Sequence, residues 1–594
     1  MRRISILGLA IALALCAVLY RFGGLQTARG AADLTVTFGP EPQTLDPGAM
    51  SGVNEARYGY ALFEGLVTYA EDGVTPIPGA AERWTVSDDG TVWTFTLRPT
   101  TWSNGEPLTA QDFVWSWMRA NDPATGSDYS SMIWYVKNAR EHHFWKAVPP
   151  SLEQLTAEDL DPENRARIVA MLRDGAREDQ IPLLEAARAK VRNDADRKVL
   201  EDAIAGARGR APISDADVGL RAIDDRTLEV TLKTPVGFIL DIFGFHTLMP
   251  VNRRCLERWG DNWLKPEHFV GNGPFVVEEW RAQYRVVLRK NPRYWDAARV
   301  PAERITLMIL DSANTAMAMY DRGDVDFLDR IQIPADFLEL LSARPDYVAY
   351  PAFGCYFERF NVTRPPFDDA RVRKAFAHAI DRTVVCEKIM KGGELPWTRL
   401  TPPFPGYDPG TDGCPYDEAR ARRLMDEVYP DRSKFPRVVY LTSSRKKSRD
   451  LFAYCENQWA KVLGIKIEPK IQEWSVYLTS MSNLDYDIAF GGWLGDYQDP
   501  HTFIDIFITN GGNNRTGWSN PQYDAWVEEA LRQTDRARRF ELYGRCEKRI
   551  VEEECVILPM YVTAERNMLK PHVRGVRPNF MDRFLLKYWH RGPP

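Results

Sequence analysis

The rhythm of apolar and polar positions changes repeatedly along the chain. Residues 34–38 alternate apolar with polar, as a half-buried strand does, and Pro40, Pro42 and Pro47 then mark a loop. Residues 93–97 alternate after the turn Asp88-Asp89-Gly90, and 227–232 after Asp224-Asp225. Residues 275–277 and 285–288 predict a hairpin. A helical period replaces the alternation over 369–380, where Val372, Ala375, Phe376 and Ala379 share a face. Asn520-Pro521 reads as a helix start, followed by Tyr523, Trp526, Val527 and Leu531 on one side. The pattern predicts a mixed α and β protein without internal repeats.

One segment departs from its surroundings. Over 151–211 the composition turns to Ala, Arg, Glu, Asp and Leu. Asp161-Pro162-Glu163 is a helix start, with Asp as N-cap and Pro at the first position. Three apolar stripes follow, through Ile168, Met171 and Leu172, then Leu184, Ala187 and Val191, then Val199, Leu200, Ala203 and Ile204. They predict a helical hairpin or small bundle inserted into the surrounding fold. Two readings stay open for it: a solvated outgrowth, or a docking surface for a partner.

The N-terminus carries an address. Arg2 and Arg3 precede an apolar run over 4–20, and small residues follow to Ala32. A positive stretch before an apolar one is an export signal, and cleavage near Ala31 fits the small residues. Residues 1–31 are therefore a signal peptide or a retained N-terminal anchor. No later stretch has the length and apolarity of a second span. Export permits disulfides, yet beyond Cys16 the seven cysteines are sparse, odd in number and free of CxxC spacing. Buried thiols, with one or two bridges at most, are expected.

Composition narrows the function classes. The chain has 594 residues, 44% of them hydrophobic and 27% charged, which excludes a disordered chain. Its mean hydropathy of -0.38 excludes a polytopic membrane protein. Lys and Arg number 76 against 82 Asp and Glu, so no basic excess points to nucleic acid. Aromatics reach 12%, with 18 Trp, enough for a large core and for the walls of a ligand cavity. There is no GxxxxGK[ST], HExxH or GxSxG. His142-His143 beside Glu141 lacks the i, i+4 spacing of a helical metal site. Asp485 and Asp487 read as neighbours on one side of a strand and as solubilising charges. A binding protein, not an enzyme, with no cofactor and no metal, is the expected class.

Several motifs, taken in order, carry a resemblance. Glu41-Pro-Gln-Thr-Leu-Asp-Pro47, Leu62-Phe-Glu-Gly-Leu-Val67, Ala81-Glu-Arg-Trp84, Trp93-Thr-Phe95 and Trp102-Ser-Asn-Gly105 open the series. Asn361, Pro366-Phe-Asp-Asp369, Arg371-Val-Arg373, Ile380-Asp-Arg382, Gln472-Glu-Trp474, Gly492-Trp493 with Asp496-Tyr497, and Asn520-Pro521 with Asp524 continue it. Together they resemble the extracytoplasmic oligopeptide-binding proteins, the large solute receptors of peptide ABC transporters. The resemblance runs over 33–590 except for the insert. It implies an α/β, two-lobed periplasmic-binding-protein fold, type II, in its large three-subdomain form with a helical insertion. The core subdomain of lobe I would comprise 32–63, 217–351 and 560–594. An accessory subdomain would be 64–216, with the insert at 151–211, and lobe II would be 352–559. Segments near Ala352 and Tyr561 would form the hinge. The implied partners are short peptides and an ABC transporter permease, with no nucleic acid, the membrane touched only through the N-terminal segment, and a monomeric state.

The same resemblance implies a ligand site. Asp496 would pair with the peptide α-amino group. Gly492 and Leu494 would pair with the ligand main chain, with Val53 in the matching segment of the other lobe. Such strand addition gives affinity regardless of side chains, and a glycine at 492 would let a second backbone approach. Trp474, Trp493, Tyr129, Tyr497 and Tyr561 match aromatic wall positions. Departures accompany these matches. Met481 and Phe490 stand where the best-known receptors have arginines around the ligand carboxylate. Ser51 replaces an acidic residue. Leu494 replaces a cysteine, which removes the family's bridge from Cys355. The amine end of the site looks kept, and the carboxyl end rebuilt and more apolar. Two functional readings follow: a peptide receptor feeding a transporter, or the same fold serving a non-peptide solute or acting as a sensor or docking subunit through the insert.

Overall fold

The computed structural model describes residues 34–146, 168, 181–191, 194–207, 213–509, 511 and 513–593. The N-terminal address and most of the insert, including Asp161-Pro162 and the stripe at Met171 and Leu172, lie outside the described residues. Among those described, no helix is long and apolar enough to cross a membrane.

One large sheet runs through the molecule. Ten of its eleven strands form a continuous path: β1 (Leu34–Gly39), β2 (Phe275–Arg281), β3 (Arg285–Lys290), β4 (Arg304–Ile309), β5 (Phe327–Leu328), β6 (Tyr347–Phe360), β7 (Val439–Ser443), β8 (Glu468–Gln472), β9 (Ile488–Leu494) and β10 (Ile557–Leu569). Their spatial order is β8-β7-β9-β6-β10-β5-β1-β4-β3-β2. The hairpin expected near 275–288 is β2–β3, antiparallel. β6 and β10, of 14 and 13 residues, are long enough to join the two halves of the sheet. They pair antiparallel, with the register broken between Pro351 and Cys355. A separate four-stranded antiparallel sheet is built from Ala81–Val86, Val92–Leu97, Thr227–Thr231 and Leu220–Ala222.

Packing divides along the same line. One core gathers residues from 34–327 and 573–589, including Trp102, Trp117 and Trp589. Beyond it, β6 is buried on both faces, so its alternating residues feed two cores. Cys355 and Phe357 enter one, with Phe503, Tyr523 and Tyr543. Phe360, with Tyr356 packed alongside, enters the other, with Phe376, Trp459 and Tyr440. Much of the aromatic surplus is core.

Local signals explain the helix ends. Asn520 accepts from the backbone N–H groups of Gln522 and Tyr523, with Pro521 first in the helix Pro521–Leu531. Asp369 caps Ala370–His378 in the same way. In the insert, Ile181–Lys190 and Asp194–Ala207 pack as a pair. They share a small core of Ile168, Leu184, Ala187, Val191, Leu200 and Ile204, apart from the main one. Cys255, Cys355, Cys386, Cys414, Cys455, Cys546 and Cys555 are all buried and free, so no bridge forms among the described cysteines. His142 meets Asp215 and His143 meets the Asn121 carbonyl, which accounts for both rings. Asp485 and Asp487 precede β9 instead of lying in it, and they pair with Lys470 and Arg364 respectively.

Candidate functional site

β9 positions the site. It pairs with β6 over its whole length, from Ile488 opposite Phe360 to Leu494 opposite Gly354. Its other edge meets β7 only at Ile488 and Ala489. From Phe490 onward that edge has no strand partner among the described residues; the Phe490 carbonyl accepts from the Tyr477 hydroxyl, and the groups beyond it can receive an added strand.

The chain then turns beside a cavity of about 730 Å³, lined by Ser51, Tyr129, Tyr135, Trp493, Asp496 and Asp505 among others. The volume is that of a small-ligand site. The loop is docked on the first half of the molecule. The backbone N–H of Gln498 donates to Asp241 Oδ2 (2.6 Å), and its side-chain amide donates to the Val74 carbonyl (2.7 Å) and to Asp241 Oδ1 (2.9 Å). Tyr497 stacks on Phe238, with ring centroids 4.5 Å apart, and meets the hydroxyl of Tyr135 at 3.4 Å.

Asp496 is half-buried in this wall. Tyr129 donates to its Oδ1 at 3.3 Å, and the Asp496 backbone N–H donates to Thr502 Oγ1. No cation pairs with it among the described residues. Burial pushes the Asp496 carboxyl up to about 6, against the milder downward pull of the Tyr129 bond. Asp505 lines the same cavity. Burial raises it well above the usual carboxylate range, and the charge of Asp496 raises it further. Nearby His501 is pushed down to about 3 by burial and then by Arg539, so it stays neutral. The cavity therefore holds carboxylates that a cation would ionise, and its two cationic wall residues, Lys233 and Arg532, pair with Glu141 and Glu528 instead.

The structure brings together Asp496, Trp493, Tyr129 and Tyr497. Trp493 donates from Nε1 to Thr502 Oγ1. Leu494 and Val53, both exposed, line a smaller neighbouring cavity. Val53 is the first residue of the helix Val53–Leu62, so no strand from the first half faces β9 there. Gly492 is crowded from within the sheet, with the Cys355 carbonyl 2.9 Å from the position of a Cβ. A Cβ there would lie 2.8 Å from the ring of Tyr356 on β6. Phe490 and Tyr561 line neither cavity and cluster around the same Tyr356 ring, at 5.6 and 5.3 Å. Trp474 opens the helix Trp474–Ser482, and its side chain lies outside the described part. Sequence reasoning missed Asp505, Tyr135 and Thr502. Only Tyr135, six residues past Tyr129 in an aromatic stretch, carried any signal.

Asp329, Glu565 and Asp582 converge by the smaller cavity and could in principle hold a metal. Arg57 already bridges Asp329 (2.7 Å) and Asp582 (2.6 Å), and Arg330 meets Glu565 (3.0 Å). Two guanidiniums occupy the space a cation would need, so the cluster is an ion network between β10 and its neighbours.

Residues 75–515 match the family model described as bacterial extracellular solute-binding proteins, family 5. The chain is 30% identical over 553 residues to the periplasmic oligopeptide-binding protein OppA of Escherichia coli K12, covering 90% of this chain and 88% of that protein. It superposes on a periplasmic oligopeptide-binding protein (OppAIV) of Borrelia burgdorferi with a TM-score of 0.71 and 28% identity, covering 94% and 99% of the two chains. The Haemophilus influenzae OppA complex with RPPGFSPFR gives a TM-score of 0.69 at 26% identity, covering 94% and 98%.

Proposed function

Because the chain belongs to the bacterial extracellular solute-binding proteins, family 5, we propose that it captures short peptides outside the cytoplasm and delivers them to an ABC transporter permease. Its relatives are two-lobed binding proteins of the oligopeptide type, and the fold is theirs. The lobes would be divided near Ala352 and Tyr561, with the accessory subdomain and insert on the first. Export through residues 1–31, cleaved or retained, and a monomeric state complete the reading.

The observation that carries the mode of binding is Asp496. Among the described residues it is a cavity carboxylate without a cation partner, next to a strand edge without a strand partner. A peptide laid along Gly492 and Leu494 would satisfy that edge with main-chain hydrogen bonds. Its α-ammonium would reach Asp496 and restore the charge balance that burial disfavours. Ligand contact with both halves is what favours the closed state, since only differential affinity shifts a conformational equilibrium. The cavity leaves room for side chains and water, which suits a receptor of many sequences.

Calorimetry with short peptides and their N-acetylated forms tests this reading. Acetylation is expected to remove most of the affinity, and equal binding of the two forms would overturn the role of Asp496.

A further inference from the structure

Two of the seven buried thiols face each other. The Sγ atoms of Cys414 and Cys555 lie 3.9 Å apart, although 141 positions separate the residues in the chain. Among the described cysteines no other two sulfurs are so placed. Cys255 and Cys355, by contrast, donate to backbone carbonyls.

Both positions are held from several sides. Cys414 lies in the stretch ahead of the helix Glu418–Val428, and its Sγ also meets the Val551 carbonyl at 3.4 Å. The hydroxyl of Thr411 donates to Glu552 (2.5 Å), and the Asp417 backbone N–H donates to the His378 carbonyl (2.9 Å). Cys555 stands two residues before β10, and its carbonyl accepts from Arg373 (3.1 Å). Its φ of 48° is in the left-handed region, which glycine or asparagine fills more readily, so backbone preference does not account for a cysteine there. The surroundings suit sulfur chemistry. The bond with Cys555 pulls the Cys414 thiol down, burial opposes it, and His378 and Arg382 add to the pull. Burial is the first influence on Cys255, Cys355, Cys386, Cys455 and Cys546, and it raises all five. Cys414 is therefore the thiol that ionises most readily, and the thiolate is the attacking form in disulfide exchange. Cys414 is 4% exposed, yet Asp412, Pro415 and Tyr416 around it are exposed, so local opening of a surface stretch uncovers it.

We propose that Cys414 and Cys555 are a disulfide site, closed after export to staple the stretch before Glu418 to the root of β10. The inference rests on the extracytoplasmic reading above, because such bonds persist in an oxidising compartment. The oxidant is a second disulfide, of a protein or of a small thiol. The Cys414 thiolate attacks one of its sulfurs and expels the other. Cys555 then attacks Cys414 Sγ and expels the second. Two protein thiols are oxidised to one S–S bond, the oxidant is reduced to two thiols, and the two protons end on its two sulfurs. β10 also pairs with Leu395 and Pro396 through Val562 and Tyr561. The bridge thus fixes the far end of the 395–417 segment to the strand that joins the two halves of the sheet. Neither cysteine lines the large cavity.

The test maps thiols in the full chain by alkylation under denaturing conditions and mass spectrometry. One sample is recovered from fractionated cells, and another is purified, reduced and held in a buffer of glutathione and glutathione disulfide. Cys414 and Cys555 are expected to escape alkylation until reduction and to map to one bridged peptide pair, while the other five described thiols react. The oxidised protein should unfold about 4 °C above the reduced one, because the bond closes a long loop. Cys414→Ser and Cys555→Ser should each remove that difference, and Cys546→Ser should leave it. Protein found outside the cytoplasm with both thiols free would overturn the proposal, as would a bridge from either residue to another cysteine. Equal unfolding temperatures of bridged and reduced protein would overturn the stapling role. Protein confined to the cytoplasm would overturn the extracytoplasmic reading instead, and the glutathione sample then decides the site: a 414–555 bridge supports it, and free thiols overturn it.

Discussion

The two ends of the β9 edge are built in opposite ways. At one end Asp496 follows the strand directly, held by Thr502 and Tyr129, and the cavity beside it carries a second carboxylate, Asp505. At the other, positions 481 and 490 are apolar, and Arg359 on the adjacent strand is buried beside Met481 and the Phe357 ring. The negative end gathers Asp496, Thr502 and Asp505 from one short stretch of chain, with Tyr129 from a distant one. The other end is an assembly of side chains from separate elements.

The largest expected effect breaks the negative pole. Asp496→Asn should weaken binding of peptides with a free amine about a hundredfold, the cost of leaving one charge of a buried pair alone at roughly 3 kcal/mol. Acetylated peptides should lose far less, and calorimetry reads both. Next is pH, which acts on the negative pole. The free carboxyl of Asp496 sits at about 6 and is stabilised as the anion once an ammonium is bound. Affinity should therefore be complete above pH 6 and fall about tenfold per unit below it, with Asp496→Asn abolishing that slope. In the ligand-free protein the sign reverses. A folded value above the ordinary 3.8 means that this group contributes less stability as pH rises from about 4 to 6, which is measurable by thermal unfolding.

A smaller effect should act on the whole site. Gln498→Ala removes the side-chain bonds to the Val74 carbonyl and Asp241 that dock the loop on the first half. At about 1 kcal/mol per hydrogen bond it should cost roughly fivefold to thirtyfold in affinity. The acetylation penalty should be unchanged; a change in it would show that docking serves that end only. The smallest effect is expected from replacing residues 151–211 with a short flexible linker. The small core of the insert is separate from the main one, so peptide affinity should stay within about twofold. A larger loss would join the insert to the binding surface.

The sequence by itself determined a good deal. Alternation at 93–97 and 227–232 placed strands of the four-stranded sheet, and Asn520-Pro521 placed a helix start, because strand faces and helix caps are local interactions. Asp496 was singled out only through the family resemblance of the Gly492-Trp493 to Asp496-Tyr497 stretch, because one of its partners, Tyr129, lies 367 residues away. Tertiary structure alone decided what depends on distant segments meeting. A Cβ at Gly492 would meet Tyr356 and the Cys355 carbonyl, both on another strand. Val53 begins a helix, and Phe490 and Tyr561 stack on that same Tyr356 instead of walling the cavity. Arg359 gave no sign in its own neighbourhood of being without a counter-ion, with Glu358 beside it in the chain. The pleat of β6 turns those two side chains to opposite faces, and only the folded sheet shows that the carboxylate goes to Tyr440 while the guanidinium is left over Gly491.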